Sequence, residues 1–388
     1  MTRPDAGRAA VVLALSVLVL TAGPARAAEP SDPWVQAWGH NGAGQLGNGS
    51  TLDQPTPSAV KGLARKDVRE LAGGGYNSTI AFAVAVLHDG TVRSWGGNSD
   101  GQLGDGTTTS RPHPAAVAGL SGVTEVAAGG YFAYAVSGGR VLAWGGNAHG
   151  QLGDGSTDPA ARPVRVQSLD KVKDVAAGCH HAVALRKDGT VWTWGRNDEG
   201  QLGDGSTTGR STPKRVAGLR DVVAVAAGCH CTLALTADGT VQAWGRNKSG
   251  ELGNGSTDAS PVPVAVRHLE NVSSVFSGGY HAFAVLDDGT VRGWGGNWAG
   301  QLGDGSTVNR TTPVPIPALT GVVALSGTWR HTLAVLDDQS VLSWGDNGHG
   351  QLGNGTTTAS PTPVLALPPG SGATRVATST SWTSSYAY

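Results

Sequence analysis

The sequence carries no surplus of positive charge. Its 388 residues include 28 Lys and Arg against 29 Asp and Glu. Three Arg and one Asp lie in residues 1–27, so the rest of the chain has 25 basic and 28 acidic side chains and a net charge of −3. Polyanions are held by an excess of Lys and Arg. The sequence therefore predicts no nucleic-acid partner.

Long hydrophobic runs are also scarce. One run, at residues 9–20, is too short for a comfortable membrane span. Arg3 and Arg8 precede it and Ala25-Arg26-Ala27 follows, which is the three-part pattern of a secretory signal peptide. We expect cleavage after Ala27, a secreted mature chain and no membrane insertion after cleavage. Retention of the run as an anchor is the less favoured alternative.

Linkers and changes of composition are missing from residues 28–388. The length alone would suggest two or three domains, but the uninterrupted pattern predicts one domain over this range. Phosphate-binding loops and paired-acid motifs, which identify common catalytic sites, are missing as well. The sequence therefore predicts a protein that is not an enzyme and that needs no cofactor.

What the chain does contain is a Trp-Gly unit in seven copies, and from Trp144 onward the copies stand fifty residues apart. Self-similarity at a period near fifty is typical of β-propellers, in which each repeat forms one blade. The repeated Trp is expected in the core, because blades pack through large apolar side chains. The seven are Trp38, Trp95, Trp144, Trp194, Trp244, Trp294 and Trp344.

Each repeat has the pattern of a small antiparallel sheet. In one copy, residues 175–177 and 182–185 are short apolar runs, and Asp188-Gly189 precedes an alternating run at 191–194. Asp-Gly between two such runs predicts a hairpin with a primed turn. The Gly-rich loop after Trp-Gly leads to a run with proline, which predicts an edge strand because proline cannot donate to a ladder.

The two ends of the chain look like halves of one repeat. Residues 35–39 hold only its second half, and residues 376–386 match its first half with no Trp-Gly after it. Pairing them within one blade would remove exposed sheet edges. The sequence thus predicts an all-β fold, a seven-bladed β-propeller whose closing blade is shared by the N- and C-terminal segments.

One motif recurs through the chain. It reads Gly-x-x-His-(Thr/Ala) before Ala-Leu, then Asp-Gly-Thr-Val-x-x-Trp-Gly-x-Asn-x-x-Gly-Gln-Leu-Gly, with matches at residues 327–332, 288–296 and 297–303. This closely resembles the repeat of the regulator of chromosome condensation family. The resemblance implies seven four-stranded blades with a split closing blade. Family members serve as guanine-nucleotide exchange factors, chromatin binders, a plant ultraviolet photoreceptor and secreted bacterial β-lactamase inhibitors, so function has to be argued from the surface.

Two of these functions fit the sequence poorly. Exchange activity in the family depends on an inserted β-hairpin wedge and an intracellular GTPase, whereas the largest excess here is about five residues at 76–80. Exchange activity is therefore kept as an alternative. Photoreception would need clustered Trp beyond the repeat Trp, and only Trp329 stands in the matching sequence. The β-lactamase inhibitors grip a loop with aromatic side chains, but this chain keeps Gly-rich loops that they shorten, so the target enzyme is not carried over.

Two aligned positions before the second strand vary from repeat to repeat. If they lie where a loop enters the inner strand, they form a ring around one mouth of the central channel. Tyr, Trp, His and Arg are typical anchors of protein interfaces. The first position reads Tyr76, Tyr131, His180, His230, Tyr280, Arg330 and Ser381. The second reads Phe132, His181, Cys231, His281, His331 and Trp382, and Trp329 stands just before the first.

We predict that this ring binds a protein partner, with the chain acting as a secreted monomer. For the second position as a whole a structural role is favoured, because a regularly placed His commonly satisfies backbone groups. The loops after Trp-Gly, with Trp298 and His349, are a candidate second surface. A lyase or hydrolase site built on the His ring is the enzymatic alternative. The predicted contacts are Tyr76, Tyr131, Phe132, His180, His230, Tyr280, Trp329, Arg330 and Trp382.

The sequence has three cysteines, and two of them occupy the same position of adjacent repeats. Cys179 and Cys229 fit either a disulfide between blades or two buried free thiols. A metal site is not predicted, because adjacent residues such as Cys179 and His180 point to opposite faces of a strand. The carboxylates of the Gly-Asp-Gly loops are expected to form Asx turns rather than a calcium site. These are Asp105, Asp154, Asp204 and Asp304.

Overall fold

The computed structural model describes residues 33–77, 79–379 and 384–388. The predicted signal peptide at 1–27 and the candidates Ser381 and Trp382 lie outside the described residues. The described residues form seven four-stranded antiparallel sheets and one short 3-10 helix, Arg65–Asp67, which confirms the predicted seven-bladed propeller. No helix in this part of the chain is both long and apolar enough to cross a membrane.

Six blades are each built from one continuous stretch of chain, with their strands in sequence order. Blade 1 contains β3 (Val68–Gly74), β4 (Phe82–Leu87), β5 (Val92–Gly96) and β6 (Arg111–Ala116). Blade 2 contains β7 (Val123–Ala128), β8 (Phe132–Ser137), β9 (Arg140–Gly145) and β10 (Ala160–Arg165). Blade 3 contains β11 (Val172–Ala177), β12 (His181–Arg186), β13 (Val191–Gly195) and β14 (Arg210–Arg215).

The remaining continuous blades repeat this order. Blade 4 contains β15 (Val222–Ala227), β16 (Cys231–Thr236), β17 (Val241–Gly245) and β18 (Ser260–Ala265). Blade 5 contains β19 (Val272–Ser277), β20 (His281–Leu286), β21 (Val291–Gly295) and β22 (Arg310–Pro315). Blade 6 contains β23 (Val322–Gly327), β24 (His331–Leu336), β25 (Val341–Gly345) and β26 (Ser360–Leu367). Each first strand contacts the first strands of the neighbouring blades around the ring.

Blade 7 closes the ring with both ends of the chain, as predicted. The order of its strands from the outside is β2 (Gln54–Ala64), β1 (Trp34–Gly39), β28 (Ser384–Ala387) and β27 (Val376–Thr378). β1 and β28 pair with Trp38 opposite Ser385. β27 contacts the first strands of blades 6 and 1. The pairing of β1 with β28 therefore fastens the two termini within one sheet.

Burial follows the position of a strand within its blade. The second strands, such as β12, are buried at five consecutive positions, because other blades cover both faces of the sheet. Most fourth strands, such as β18, have no buried residue, and the fourth strands carry prolines. The predicted edge position of the proline-bearing runs is confirmed.

The seven repeat Trp side chains are fully buried and tie each blade to the one before it. Each indole N–H donates to a backbone carbonyl of the preceding Gly-rich loop, at 2.8 to 3.0 Å. Trp194 donates to the carbonyl of Gln151, and Trp38 donates to that of Gln351 across the junction of blades 6 and 7. The predicted core residue is thus also a hydrogen-bond donor between blades.

The Asp-Gly turns differ from the predicted primed turns. Gly189 has φ of 75° and is the only residue of its turn with positive φ. Its N–H donates to the carbonyl of Arg186, while Asp188 accepts the N–H and hydroxyl of Thr190. This is a type I turn followed by one left-handed residue. The primed turn was wrong because it requires positive φ at the Asp as well.

Candidate functional site

The loops that join the first and second strands are hydrogen-bonded to one another at one end of the channel. The N–H of Gly130 donates to the carbonyl of Cys179, whose own N–H donates to the carbonyl of Cys229. The N–H of Cys229 donates to Gly279, and that of Gly279 to Thr328. This ladder joins one loop from each of blades 2 to 6. The variable side chains lie next to it and are therefore brought together around the channel axis.

Aromatic side chains at this mouth form one continuous cluster, here called the aromatic cap. The ring centroid of Tyr76 lies 5.8 Å from that of Tyr131, 5.1 Å from that of His180 and 5.2 Å from that of Trp329. Trp329 is also 5.3 Å from Tyr280. His230 lies 6.2 Å from Tyr280. The structure thus brings six of the predicted contact residues, one from each of blades 1 to 6, into one cluster.

A disulfide lies beneath the aromatic cap. Cys179 and Cys229, from blades 3 and 4, are joined with their Cα atoms 4.5 Å apart, and both are buried. Trp329 reaches them from blade 6, and Tyr76 and Tyr280 pack against the same group. The mouth is therefore filled by side chains that meet across the axis. Of the two alternatives for these cysteines, the structure has the bridge, while Cys231 is a separate buried thiol.

Accessibility divides the predicted contacts. Four are half-buried and offer surface to a partner: Tyr76, Tyr131, Tyr280 and Arg330. His180 and His230 are 8% exposed and Trp329 is 9% exposed, so they mainly support the cap. Phe132 is fully buried in the core between blades 2 and 3. The prediction of Phe132 as a contact was wrong, because its position points between blades instead of toward the mouth.

The second variable position links adjacent blades. Nε2 of His181 lies 3.0 Å from the hydroxyl of Thr232 in the next blade, and that hydroxyl donates to the Gln201 carbonyl. The same arrangement recurs at His281 with Thr332 and at His331 with Ser385. This is the structural role that was favoured for the position, although the direct partner is a hydroxyl rather than a backbone group.

In two repeats the residue at the second variable position differs from the one that the sequence alignment assigned. Phe82 and Ser384 each pair with the Gly of a Trp-Gly unit, as His181 does. Phe82 is therefore the member from blade 1, hidden from sequence reasoning by the extra residues before it. Ser384 is the member from blade 7, which corrects the assignment of Trp382 to the position. The pattern of the repeat does not show where a longer loop absorbs its extra residues.

Burial keeps the histidines of the cap uncharged. The pKa of His180 is lowered to about 3, first by burial and then by the nearby His149 and Arg196. The pKa of His230 is lowered to about 4, first by burial and then by Arg196 and Arg246. Nδ1 of both histidines is buried and has no hydrogen-bond partner among the described residues. The cap is therefore a largely apolar surface with two unpaired ring nitrogens at its base.

Two of the loops after Trp-Gly border the aromatic cap. Trp298 is 39% exposed, and its ring lies 5.6 Å from that of Tyr280. The exposed His149 lies 5.1 Å from His180. In blades 2 and 5 these loops therefore extend the surface of the cap, whereas the loop of blade 6 places His349 against His40 and Asp53 of blade 7. From the sequence, Trp298 was assigned to the loop surface and His149 was not named. For Trp298 the available signal was an aromatic side chain at a position where no other copy has one.

A charged pair from the loop between β17 and β18 of blade 4 supports Tyr280 of the cap. Nε of Arg246 donates to Oε1 of Glu251 at 3.0 Å, and the guanidinium carbon lies 4.8 Å from the centroid of Tyr280. The side chain of Glu251 is only 1% exposed, so pairing is what makes its burial tolerable. The cation–π contact fixes the Tyr280 ring in place. The signal in the sequence was Glu251, which stands where the other six copies have Gln.

The Gly-rich loops are built as predicted. Oδ1 of Asp204 accepts the N–H and the hydroxyl of Ser206. Asn48 accepts the N–H of Ser50 in the same way. Arg210 also pairs with Asp204, at 2.6 Å. These acidic groups therefore hold turns together.

Comparison with known sequence families gives matches along most of the chain. The profile of the RCC1-like domain matches residues 26–272. Two profiles of the Regulator of chromosome condensation (RCC1) repeat match the remainder, at residues 272–301 and 322–351 and at 288–335 and 338–383.

Curated relatives share only part of their length with this chain. Human HERC2, an E3 ubiquitin-protein ligase, is 40% identical over 97 residues, which are 24% of this chain and 2% of HERC2. Human Alsin is 40% identical over 96 residues, which are 24% of this chain and 6% of Alsin. The chain thus corresponds to a small part of these relatives.

Solved structures match over nearly the whole propeller. Human WBSCR16 superposes with a TM-score of 0.79 at 25% identity, covering 91% of this chain and 99% of that one. Yeast RCC1 (Prp20), solved bound to Kap60, superposes with a TM-score of 0.80 at 20% identity and covers 96% of both. The Prp20p structure from Saccharomyces cerevisiae is described together with its binding properties to Gsp1p and histones. With the profile match over more than half of its residues, the chain belongs to the RCC1-like domain family.

Proposed function

We propose that the chain is an exported, monomeric and non-enzymatic binding protein that recognises another protein through the aromatic cap. The observation that carries this proposal is the cap itself, a continuous aromatic cluster on one face with Tyr131, Tyr280 and Trp298 accessible around it. Large aromatic side chains with few rotatable bonds are the usual anchors of protein interfaces.

The surroundings of the cap support a rigid recognition surface. The backbone ladder between blades, the bridge from Cys179 to Cys229 and the pair of Arg246 with Glu251 hold the aromatic rings from below. A surface that is already ordered loses little conformational entropy on binding. Specificity would come from the loop residues that differ from one repeat to the next, since the remaining positions of the repeat are similar in all copies.

The partner we favour is a secreted or envelope protein, such as an enzyme inhibited by the capture of one of its loops. Export rests on the signal-peptide pattern at residues 1–27. That family members have protein partners is supported by yeast Prp20, described with Gsp1p, histones and Kap60. Action on a small GTPase, as an exchange factor, is the alternative that these relatives keep open.

The test is capture of a partner by the immobilised mature protein from culture fluid and envelope extract. A triple variant, Tyr131→Ala, Tyr280→Ala and Trp298→Ala, removes accessible rings and leaves the buried Trp329 and the disulfide in place. A matched control removes three exposed apolar side chains elsewhere, namely Val262→Ala, Val323→Ala and Leu365→Ala. Circular dichroism establishes that both variants are folded.

We expect a protein that the parent and the control capture and that the triple variant loses. Equal capture by all three would place the contact surface away from the cap. Capture of a GTPase together with accelerated nucleotide release would replace the proposal with exchange activity.

A further inference from the structure

The structure brings together two histidines and one carboxylate where blades 6 and 7 meet. His349 lies in the loop between β25 and β26, and His40 and Asp53 lie in the loop between β1 and β2. Their potential ligand atoms all lie within 4.8 Å of one another. We propose that His40, Asp53 and His349 bind a divalent transition-metal ion of the zinc class.

The distances suit such an ion after small movements. Nδ1 of His349 is 2.9 Å from Oδ2 of Asp53, and Nε2 of His40 is 3.9 Å from Oδ1 of Asp53. Ligand atoms around a tetrahedral zinc, with bonds of about 2.0 to 2.2 Å, stand about 3.4 Å apart. The first distance is shorter and the second longer than this spacing by about half an ångström. They end on different oxygens of Asp53, so the carboxylate also has to rotate to bring one oxygen between the two imidazole nitrogens. The two imidazole rings stand nearly perpendicular, with their centroids 4.8 Å apart, so neither blocks the other.

The ligand types fit zinc better than the hard cations. Imidazole nitrogen and carboxylate oxygen are ordinary zinc ligands, whereas calcium and magnesium are held mainly by oxygen. The side chains of His349 and Asp53 are 45% and 40% exposed, which leaves an open path for the ion. Three protein ligands would leave a fourth position for water.

Neighbouring groups hold two of the proposed ligands in place before any ion binds. Oδ1 of Asp53 accepts the N–H of Asn41 at 2.9 Å. Nδ1 of His40 accepts hydrogen bonds from Nε2 of Gln45 at 2.9 Å and from the Gly42 N–H at 3.3 Å. The His40 ring is therefore held with its Nε2 edge toward Asp53.

The partner of Nδ1 also shows what metal binding requires. With Nδ1 accepting, the proton of neutral His40 sits on Nε2, and metal binding must move it to Nδ1. A half-turn of the Gln45 amide would place Oε1 against that proton, at the expense of the hydrogen bond that Oε1 accepts from Ala43. The hydrogen bonds of the metal-free protein therefore weaken metal binding, and Gln45 helps to determine the affinity for the ion.

Blade 4 offers a natural precedent for improving the site. Glu251 stands where blade 7 has Gln45, and its carboxylate accepts both the Ser249 N–H and the side chain of Arg246. Arg246 in turn stands where blade 7 has His40. A Gln45→Glu variant should therefore accept the Ala43 N–H and the Nδ1 proton of metal-bound His40 together.

The experiment is titration of the purified, chelator-treated chain with Zn²⁺ at neutral pH by isothermal calorimetry, with metal content checked by mass spectrometry. We expect one ion per chain, at least tenfold weaker binding in His349→Ala and tighter binding in Gln45→Glu. His88→Ala, which removes an exposed histidine from a turn of blade 1, should bind as the parent does. Because the ion joins two blades, it should also raise the melting temperature of the parent but not of His349→Ala.

Either of two results would overturn the proposal. One is the absence of stoichiometric binding in the parent, even if Gln45→Glu binds. The other is equal loss of binding in His88→Ala and His349→Ala, which would show scattered surface histidines to be the source. Partner capture by the aromatic cap does not depend on these residues, so the two proposals fail separately.

Discussion

A single residue, Gln339, holds a conformation that the equivalent turns give to glycine. It has φ of 68°, and its N–H donates to the Leu336 carbonyl as Gly289 does to Leu286 in blade 5. A side chain in the left-handed region costs about 1 to 2 kcal/mol, which glycine avoids, and glycine's greater flexibility when unfolded returns part of the gain. We expect Gln339→Gly to raise the free energy of unfolding by about 1 kcal/mol, measured by urea denaturation.

The reciprocal change is the control for this prediction. Gly289 has φ of 79° and open space where a Cβ would stand. Gly289→Gln should therefore lower stability by a similar amount through backbone strain alone. A loss of stability in Gln339→Gly would show that the Gln side chain contributes contacts that outweigh the strain.

The sequence predicted several residues of the site, but it did not predict how deeply each side chain is buried. Variation at one position of an otherwise constant repeat indicated Tyr76, Tyr131 and Tyr280 correctly as members of one surface. The same reasoning accepted Phe132, which is buried, and assigned the accessible Trp298 to a different surface. A repeat pattern fixes which loop a residue occupies; how far a side chain reaches depends on neighbours in other blades.

Between elements, the His and hydroxyl pairs make a specific connection from one second strand to the next. The hydroxyl of Thr332 meets Nε2 of His281 at 2.9 Å and donates to the Gln301 carbonyl at 2.8 Å. Thr332→Val keeps the shape but leaves a buried imidazole nitrogen unpaired, which costs about 1 to 3 kcal/mol. Thr332→Ser is the matched control, because Ser385 fills this role opposite His331.

Urea denaturation should rank these two variants clearly. We expect Thr332→Val to lose at least 1 kcal/mol more than Thr332→Ser. Equal stability of the two would mean that water replaces the hydroxyl without loss, and the connection would then be geometric only.

The disulfide between the loops of blades 3 and 4 can be tested by counting free thiols. Under denaturing conditions without reductant, the purified chain should present one reactive thiol, Cys231, and after reduction it should present three. The bridge closes a loop with a sequence separation of 50, so Cys179→Ser with Cys229→Ser should cost roughly 2 to 4 kcal/mol. Three thiols before reduction would contradict the bridge.

Element order was readable from the sequence because the repeat length, the Trp-Gly unit and the split terminal halves are all periodic signals. The turn type was not, since Asp188-Gly189 fits both a primed turn and a type I turn followed by a left-handed glycine. Loop position was not readable either, as Phe82 and Ser384 show. Extra residues leave the strand pairing intact and shift only the alignment, so their effect depends on tertiary packing.

At the scale of the whole molecule, buried histidines and buried acids respond to pH in opposite directions. The pKa values of His180, His181 and His281 are lowered to about 3, and that of His230 to about 4, chiefly by burial. Below their ordinary pKa of 6.5 the unfolded chain binds these protons and the folded chain does not, so acid favours unfolding.

The buried acids of the inner strands oppose this trend at moderate pH. Burial raises the pKa of Glu70 to about 7, and the pKa values of Glu125 and Asp174 are also raised. As pH falls, these carboxyls take up protons in the folded chain at a higher pH than in the unfolded chain. Their contribution to stability is therefore complete below the ordinary carboxyl pKa range, and it is lost as pH rises through the folded pKa. Between about pH 4.5 and 7, proton uptake by the buried acids therefore offsets the loss of stability caused by the histidines. Below about pH 4.5 this compensation ends.

Stability should consequently fall most steeply below about pH 4.5, where the histidine protons are no longer offset. A His181→Phe variant removes one of these protons, and Phe132 shows that the position accepts a phenyl ring. Between about pH 6 and 4, the slope of its free energy of unfolding against pH should be smaller than that of the parent. The difference between the two slopes should be about 1.4 kcal/mol per pH unit. Urea denaturation at several pH values measures the slope, with His88→Ala as the exposed control. Parallel profiles for His181→Phe and the parent would show that His181 binds its proton equally in both states, and burial would then not govern the acid response.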